Sequence, residues 1–196
     1  PDNRFNDGAT DAQGRFWAGT MKDGGTPERM GTFYRLDPDL SVTAWRDGIY
    51  PTNGMSFSAD GQTMYLSDSN PLVRQIWTAA YDTATGTPSE PELFFDTKDV
   101  HGRPDGGTVD SEGCYWFAGV SGWQLYRLSP NGKLLMTIDM PVEKPTKPMF
   151  GGADLDVLYV TSIGADITPP NEATRAQPDA GSLFAITGLG VNGTYG

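Results

Sequence analysis

The chain has 196 residues, a net charge of −11, 11% aromatics, 25 glycines and 15 prolines. That length suffices for one ordinary domain with a sizeable core, and aromatics spread evenly along the sequence exclude a disordered or collagen-like chain. An acidic surface argues against nucleic acid or an anionic membrane as a partner, since both need a basic face.

Cys114 stands alone, so no intrachain disulfide and no cysteine-based zinc site can form. Within CYWFAG it reads as a small buried hydrophobe. No stretch is apolar for long enough to span a bilayer, and a cytoplasmic location is expected.

Helix signals are scarce along the chain: no run places apolar residues at i, i+3, i+4 and i+7 between caps. Short apolar or alternating stretches recur instead, bounded by turn residues, and predict strands. In order they are RFWAGT (15–20), GTFYRLD (31–37), VTAWRDG (42–48), TMYLSDS (63–69), QIWTAAYD (75–82), ELFFDT (92–97), CYWFAGV (114–120), WQLYRLS (123–129), LLMTID (134–139), VLYVTS (157–162) and SLFAIT (182–187).

Their order repeats. Four segments share a Gly-containing turn, a short polar link and a strand: NDGATDAQGRFWAGT, TNGMSFSADGQTMYLSD, PDGGTVDSEGCYWFAG and FGGADLDVLYVTS. With Gly8, Gly54, Gly106 and Gly152 as markers, the steps are 46, 52 and 46 residues. A period near ~45–50 residues with about four strands per unit is the signature of a β-propeller blade. The expected fold is all-β, a single β-propeller domain over 1–196, with the chain supplying about four blades of a larger ring.

In a propeller, the turns that feed the innermost strands gather at one end of the channel, so equivalent residues of successive repeats meet in space. At those places stand Asn6 and Asp7, then Asn53, then Asp105, with Arg4 beside the first pair. Amide and carboxylate oxygens suit a hard divalent cation. The planar fork of Arg4 suits an anionic or hydroxyl-rich ligand. Asn-Gly and Asp-Gly are also ordinary turn dipeptides, and the pattern alone leaves both readings open. A turn needs only one suitable residue, however, and has no need for its counterparts to match in phase.

Four stretches carry a resemblance: RFNDG followed by D-x-x-G-R-F-W-A-G-T-M, NGMSFSADGQTMYLSDS, PDGGTVDSEGCYW and KPTKPMFGGADLDVLYVTS. In order and spacing they resemble the regucalcin (senescence marker protein) and gluconolactonase family of six-bladed propeller lactonases. The resemblance implies a six-bladed ring of which this chain supplies about four blades. It implies that Asn53 and Asp105 are two of three protein ligands of a divalent cation, Ca2+ first, with Zn2+, Mg2+ or Mn2+ as alternatives. It also implies that Arg4 and Asn6 contact substrate oxygens and that Asp105 serves as general base. The third ligand in such enzymes is a Glu well before the RFNDG motif. It has no counterpart here, so about two blades are expected ahead of residue 1. After GTM, where related proteins carry an acidic residue near the substrate, the chain reads KDGG and offers Asp23.

The implied activity is metal-assisted hydrolysis of a small sugar lactone, gluconolactone-like, to its aldonic acid. The alternatives are a metal-dependent esterase or phosphotriesterase on the same fold, and a non-catalytic calcium-binding propeller. No G-x-S-x-G elbow offers a competing nucleophile. His101, the only histidine, is left out of the catalytic set. Trp17, Trp77 and Trp116 are assigned to packing and Trp123 to a channel mouth, while the polar stretch 169–181 is expected to be a lid or a long connection.

Overall fold

Short apolar stretches joined by tight Gly-, Asp- and Asn-rich turns find their nearest hydrogen-bonding partner in the next stretch along the chain, which favours antiparallel meanders. A computed structural model describes residues 2–164 and 176–194. The expected lid falls largely outside them. Among the described residues every extended element is β, and a 3-10 turn at Thr97–Asp99 is the only helical one. None of them forms a helix long and apolar enough to cross a membrane.

Packing divides the chain into two units, one ending at Asp96 and one starting at Thr97. In the first, β1 (Asn3–Thr10), β2 (Phe16–Lys22), β3 (Gly31–Leu36) and β4 (Val42–Ile49) pair in sequence order. A second sheet follows with β5 (Thr52–Phe57), β6 (Thr63–Asp68), β7 (Gln75–Asp82) and β8 (Thr87–Pro88). Its outer edge is shared, because β9 (Glu92–Asp96) pairs with the other end of β7. The unit closes on Trp17, Phe33, Met55, Met64, Leu66 and Tyr81.

The second unit contains β10 (Arg103–Val109), β11 (Tyr115–Val120), β12 (Gln124–Leu128) and β13 (Leu134–Asp139), again in order. Its other sheet has three described strands, β14 (Pro145–Gly151), β15 (Val157–Ser162) and β16 (Phe184–Ile186). The core holds Trp116, Ala118, Leu125, Met140, Phe150, Leu158 and Val160. The segment after β16 stays with this unit: Gly193 bridges to Asp110, and the Asn192 carbonyl accepts the Ser111 N–H at 2.7 Å.

All eleven stretches expected as strands are strands. The Gly-containing segments expected as turns are a correction, because RFNDG, TNG and PDG lie inside the first strand of their sheets. Each of these strands carries a β-bulge, in which two residues face one partner. In β1, Phe5 pairs with Thr20 and Gly8 with Ala18, leaving Asn6 and Asp7 opposite Gly19. In β10 the extra pair is Asp105–Gly106, and in β14 it is Thr146–Lys147. In β5 it is Gly54–Met55, with Gly54 at φ 68°, a left-handed value that costs a glycine little. Gly152 is out of phase with the other markers, since it lies beyond the end of β14 at φ 89°.

Trp123 opens the hairpin arm that leads into β12. It is buried in the turn before β12, where its N–H donates to the Glu143 carbonyl at 3.2 Å and its carbonyl accepts the Met140 N–H at 2.6 Å.

Candidate functional site

A bulge turns side chains out of strict alternation, so polar residues can sit together at a strand's start without breaking the ladder behind them. In the first unit, β1 and β5 use this to build a line of hydrogen bonds. Asn6 Nδ2 donates to Asn53 Oδ1 at 2.9 Å and to the Thr52 carbonyl at 2.9 Å. Asn6 Oδ1 accepts from Arg4 Nη1 at 3.4 Å. Arg4 in turn lies 3.7 Å from Asp23, and both are well exposed. At the other end Asn53 Nδ2 donates to Ser69 Oγ, where both residues are almost fully buried.

The line settles both amides. The Thr52 carbonyl can only accept, so Asn6 presents Nδ2 there and to Asn53, which must answer with Oδ1 and so turns its own Nδ2 to Ser69. A neutral amide oxygen on a residue as buried as Asn53 is a suitable donor for a hard cation.

Asp7, the second residue of the β1 bulge, ties the two strands together. Its Oδ1 accepts the Gly8 N–H at 2.8 Å and its Oδ2 accepts the Met55 N–H at 3.0 Å. The carboxylate thus fixes the bulge of β5 from the bulge of β1. At the end of β6, buried Asp68 accepts the Tyr50 N–H at 3.0 Å and the Asn70 N–H at 2.8 Å. Burial pushes its carboxyl above the ordinary value, although those two bonds and Arg29 pull the other way.

In the second unit, Asp105 is half-buried as the first residue of the β10 bulge, after buried Pro104. Arg103 Nη2 donates to Ser121 Oγ at 3.4 Å. His101 is exposed, and its carbonyl accepts from the Tyr126 hydroxyl at 2.7 Å. Among the described residues no three His, Cys, Asp or Glu side chains gather to hold a metal. The side chains at the bulges of β1, β5 and β10 offer amide and carboxylate oxygens, which fit Ca2+ better than a nitrogen- or sulfur-seeking ion.

Arg4, Asn6, Asn53 and Asp23 thus come together in one unit, and Asp105 occupies the matching bulge of the other. Two contributors escaped the sequence reading of the site. Ser69 belongs to a strand end that switches from apolar to SDS, which was the available signal. Thr52 contributes through its backbone, which no side-chain pattern reveals.

A family model described as SMP-30/Gluconolactonase/LRE-like region matches residues 1–164. The chain belongs to this family. Regucalcin of Danio rerio is 40% identical over 197 residues, which cover 98% of this chain and 65% of that protein. Among solved structures, a luciferin-regenerating enzyme matches at 35% identity and a TM-score of 0.90. Regucalcin of Agrobacterium tumefaciens, a calcium-binding protein, matches at 31% and 0.88. Each covers 100% of this chain, which spans 64% of each of those structures. The chain therefore spans just under two thirds of the length of these relatives. Its four sheets are blades of the β-propeller fold that the relatives share.

Proposed function

We propose that this family member opens a small sugar lactone, gluconolactone-like, to the aldonic acid with the help of a divalent cation, calcium first. The observation that carries the reading is the 2.9 Å bond from Asn6 Nδ2 to Asn53 Oδ1, which joins residues 47 apart in sequence. It aligns an amide suited to a cation with one suited to sugar hydroxyls. The gluconolactonases named in the family description support the same chemistry.

Asn53 and Asp105 would hold the cation, which when bound supplies polarisation of the lactone carbonyl. Arg4 and Asn6 orient the sugar hydroxyls, with Asp23 steadying the guanidinium, so that the carbonyl carbon faces an attacking water. Asp105 takes the proton from that water as the new C–O bond forms. It returns the proton to the ring oxygen as the ester C–O bond breaks, leaving a hydroxyl and a carboxylic acid. The net charge of −11 agrees with a small uncharged or metal-bound partner rather than a nucleic acid or an anionic membrane.

The test is lactone hydrolysis followed by proton release, with and without chelator, in the unmodified protein and in Asp105→Asn. Activity should fall at least about a hundredfold on either change. Activity that survives both refutes the reading. Faster turnover of aryl phosphotriesters than of lactones would instead identify an esterase of the second kind. Tight calcium binding without turnover would identify a binding propeller, a reading favoured by the calcium-binding Agrobacterium relative.

A further inference from the structure

Three asparagines of the chain precede a glycine: Asn53, Asn131 and Asn192. In such a pair the glycine nitrogen can attack the asparagine side-chain amide, because no Cβ obstructs the approach or forbids the backbone angles it needs. What decides the outcome is how firmly the amide and that nitrogen are held, and the three sites differ. Asn53 is buried, with its Nδ2 on Ser69 Oγ. Asn192 Nδ2 donates to the Asp154 carbonyl at 2.7 Å, its own carbonyl accepts the Ser111 N–H, and the Gly193 N–H donates to the Leu155 carbonyl at 2.8 Å.

Asn131 lies exposed in the turn between β12 and β13. Among the described residues its Nδ2 has no partner, and its Oδ1 accepts from the Ser129 hydroxyl. Ser129 Oγ accepts the Lys133 N–H at 3.0 Å, which leaves the hydroxyl proton for Asn131. A donor on the amide oxygen polarises the carbon that a nucleophile must reach. The Gly132 nitrogen is restrained by one bond, from its N–H to the Ser129 carbonyl at 2.9 Å.

The turn between β5 and β6 repeats this frame with an acid in place of the amide. Ser58 Oγ donates to Asp60 Oδ1 at 2.6 Å and accepts the Thr63 N–H at 2.9 Å, while the Ser58 carbonyl accepts the Gly61 N–H at 2.8 Å. The Ser58 hydroxyl holds the Asp60 carboxyl below its ordinary value. We propose that Asn131 is a site of spontaneous deamidation, and that Ser129 keeps its aspartate product as Ser58 keeps Asp60. Solvent water or hydroxide takes the Gly132 amide proton, the nitrogen bonds to Asn131 Cγ, and Nδ2 gains a proton and leaves as ammonia. Water then opens the cyclic imide. Cleavage of the new C–N bond gives aspartate on the ordinary backbone, and cleavage of the original peptide bond gives the isoaspartyl form.

The whole chain is aged at neutral pH, native and in urea, with each Asn-Gly peptide followed by mass and each intact species by charge. In the native chain Asn131 should convert about tenfold or more faster than Asn53 or Asn192, whose amides must first give up further hydrogen bonds. In urea the three rates should converge, because those bonds are gone. Asn131→Gln, whose longer side chain closes a larger ring, should abolish the native charge change. Freshly made Asn131→Asp should co-elute with the aspartyl form of the aged chain and melt within about 2 °C of the unmodified one. The inference is overturned by no conversion at Asn131, by native conversion at Asn53 or Asn192 that is as fast, or by a spread of rates that survives urea. The same charge change in Asn131→Gln, or an Asn131→Asp chain that melts well below the unmodified one, overturns it equally.

Discussion

Asp7→Asn tests the joint between the two strands of the first unit with a change of almost no volume. The carboxylate accepts the Gly8 and Met55 N–H groups, one on each oxygen. An amide keeps one acceptor and sets an NH2 donor against the other N–H. Hydrogen bonds to a charged group contribute about 1.5–3 kcal/mol, and half-burial places this loss near 2 kcal/mol. In a chain of this size such a loss lowers the melting midpoint by roughly 4–8 °C. The local effect is more telling. One of the two amides should exchange with deuterium roughly 30-fold faster under native conditions, at 1.4 kcal/mol per decade. Hydrogen exchange resolved to single amides reads this directly. Unchanged protection at both Gly8 and Met55 would show that the carboxylate does not hold the bulges in register, and the argument built on it would fail.

Two further outcomes follow from buried carboxylates. Burial alone would raise the Asp11 carboxyl, but the bonds from Tyr81, the Arg15 backbone and the Arg15 guanidinium outweigh it and hold the group below its ordinary 3.8. The unfolded chain therefore takes up this proton at higher pH than the folded one, and stability falls as pH drops below about 4. Urea midpoints between pH 3 and pH 6 should show that slope, and Asp11→Asn should flatten it; identical slopes would contradict the assignment. In the second unit, fully buried Asp110 accepts from Arg127 Nε at 2.7 Å, Trp116 Nε1 at 2.8 Å and the N–H groups of Glu112 and Cys114. Asp110→Ala leaves Arg127 Nε, Trp116 Nε1 and two backbone N–H groups without their acceptor, while Arg127 Nη2 keeps Glu112 at 2.7 Å, and should cost about 3 kcal/mol, read from Trp116 fluorescence in urea; a loss under about 1 kcal/mol would disprove the role.

What could be read from the sequence divides along a physical line. Strands such as β6 and β11 declare themselves because TMYLSD and YWFAGV are apolar runs between turn residues. β1 and β10 do not, because a bulge breaks the two-residue period and fills the strand with residues that usually mark turns. NRFNDGAT and RPDGGTV show no alternation at all. The same feature made the candidate site visible, since polar residues recurring in phase need a reason beyond turn formation. Asn6 and Asn53 stood out that way. The lock supplied by Ser69 did not, because a serine at a strand end is unremarkable until its partner 16 residues away is seen.

The surplus residue in each opening strand has an evolutionary consequence. Because it stands outside the one-to-one register, its identity can drift without disturbing the cross-strand partners that keep the sheet intact. Asn-Asp, Gly-Met, Asp-Gly and Thr-Lys already occupy the four positions within one molecule. A lineage can therefore retune the side chains at each bulge separately, on scaffolding that never has to be rebuilt.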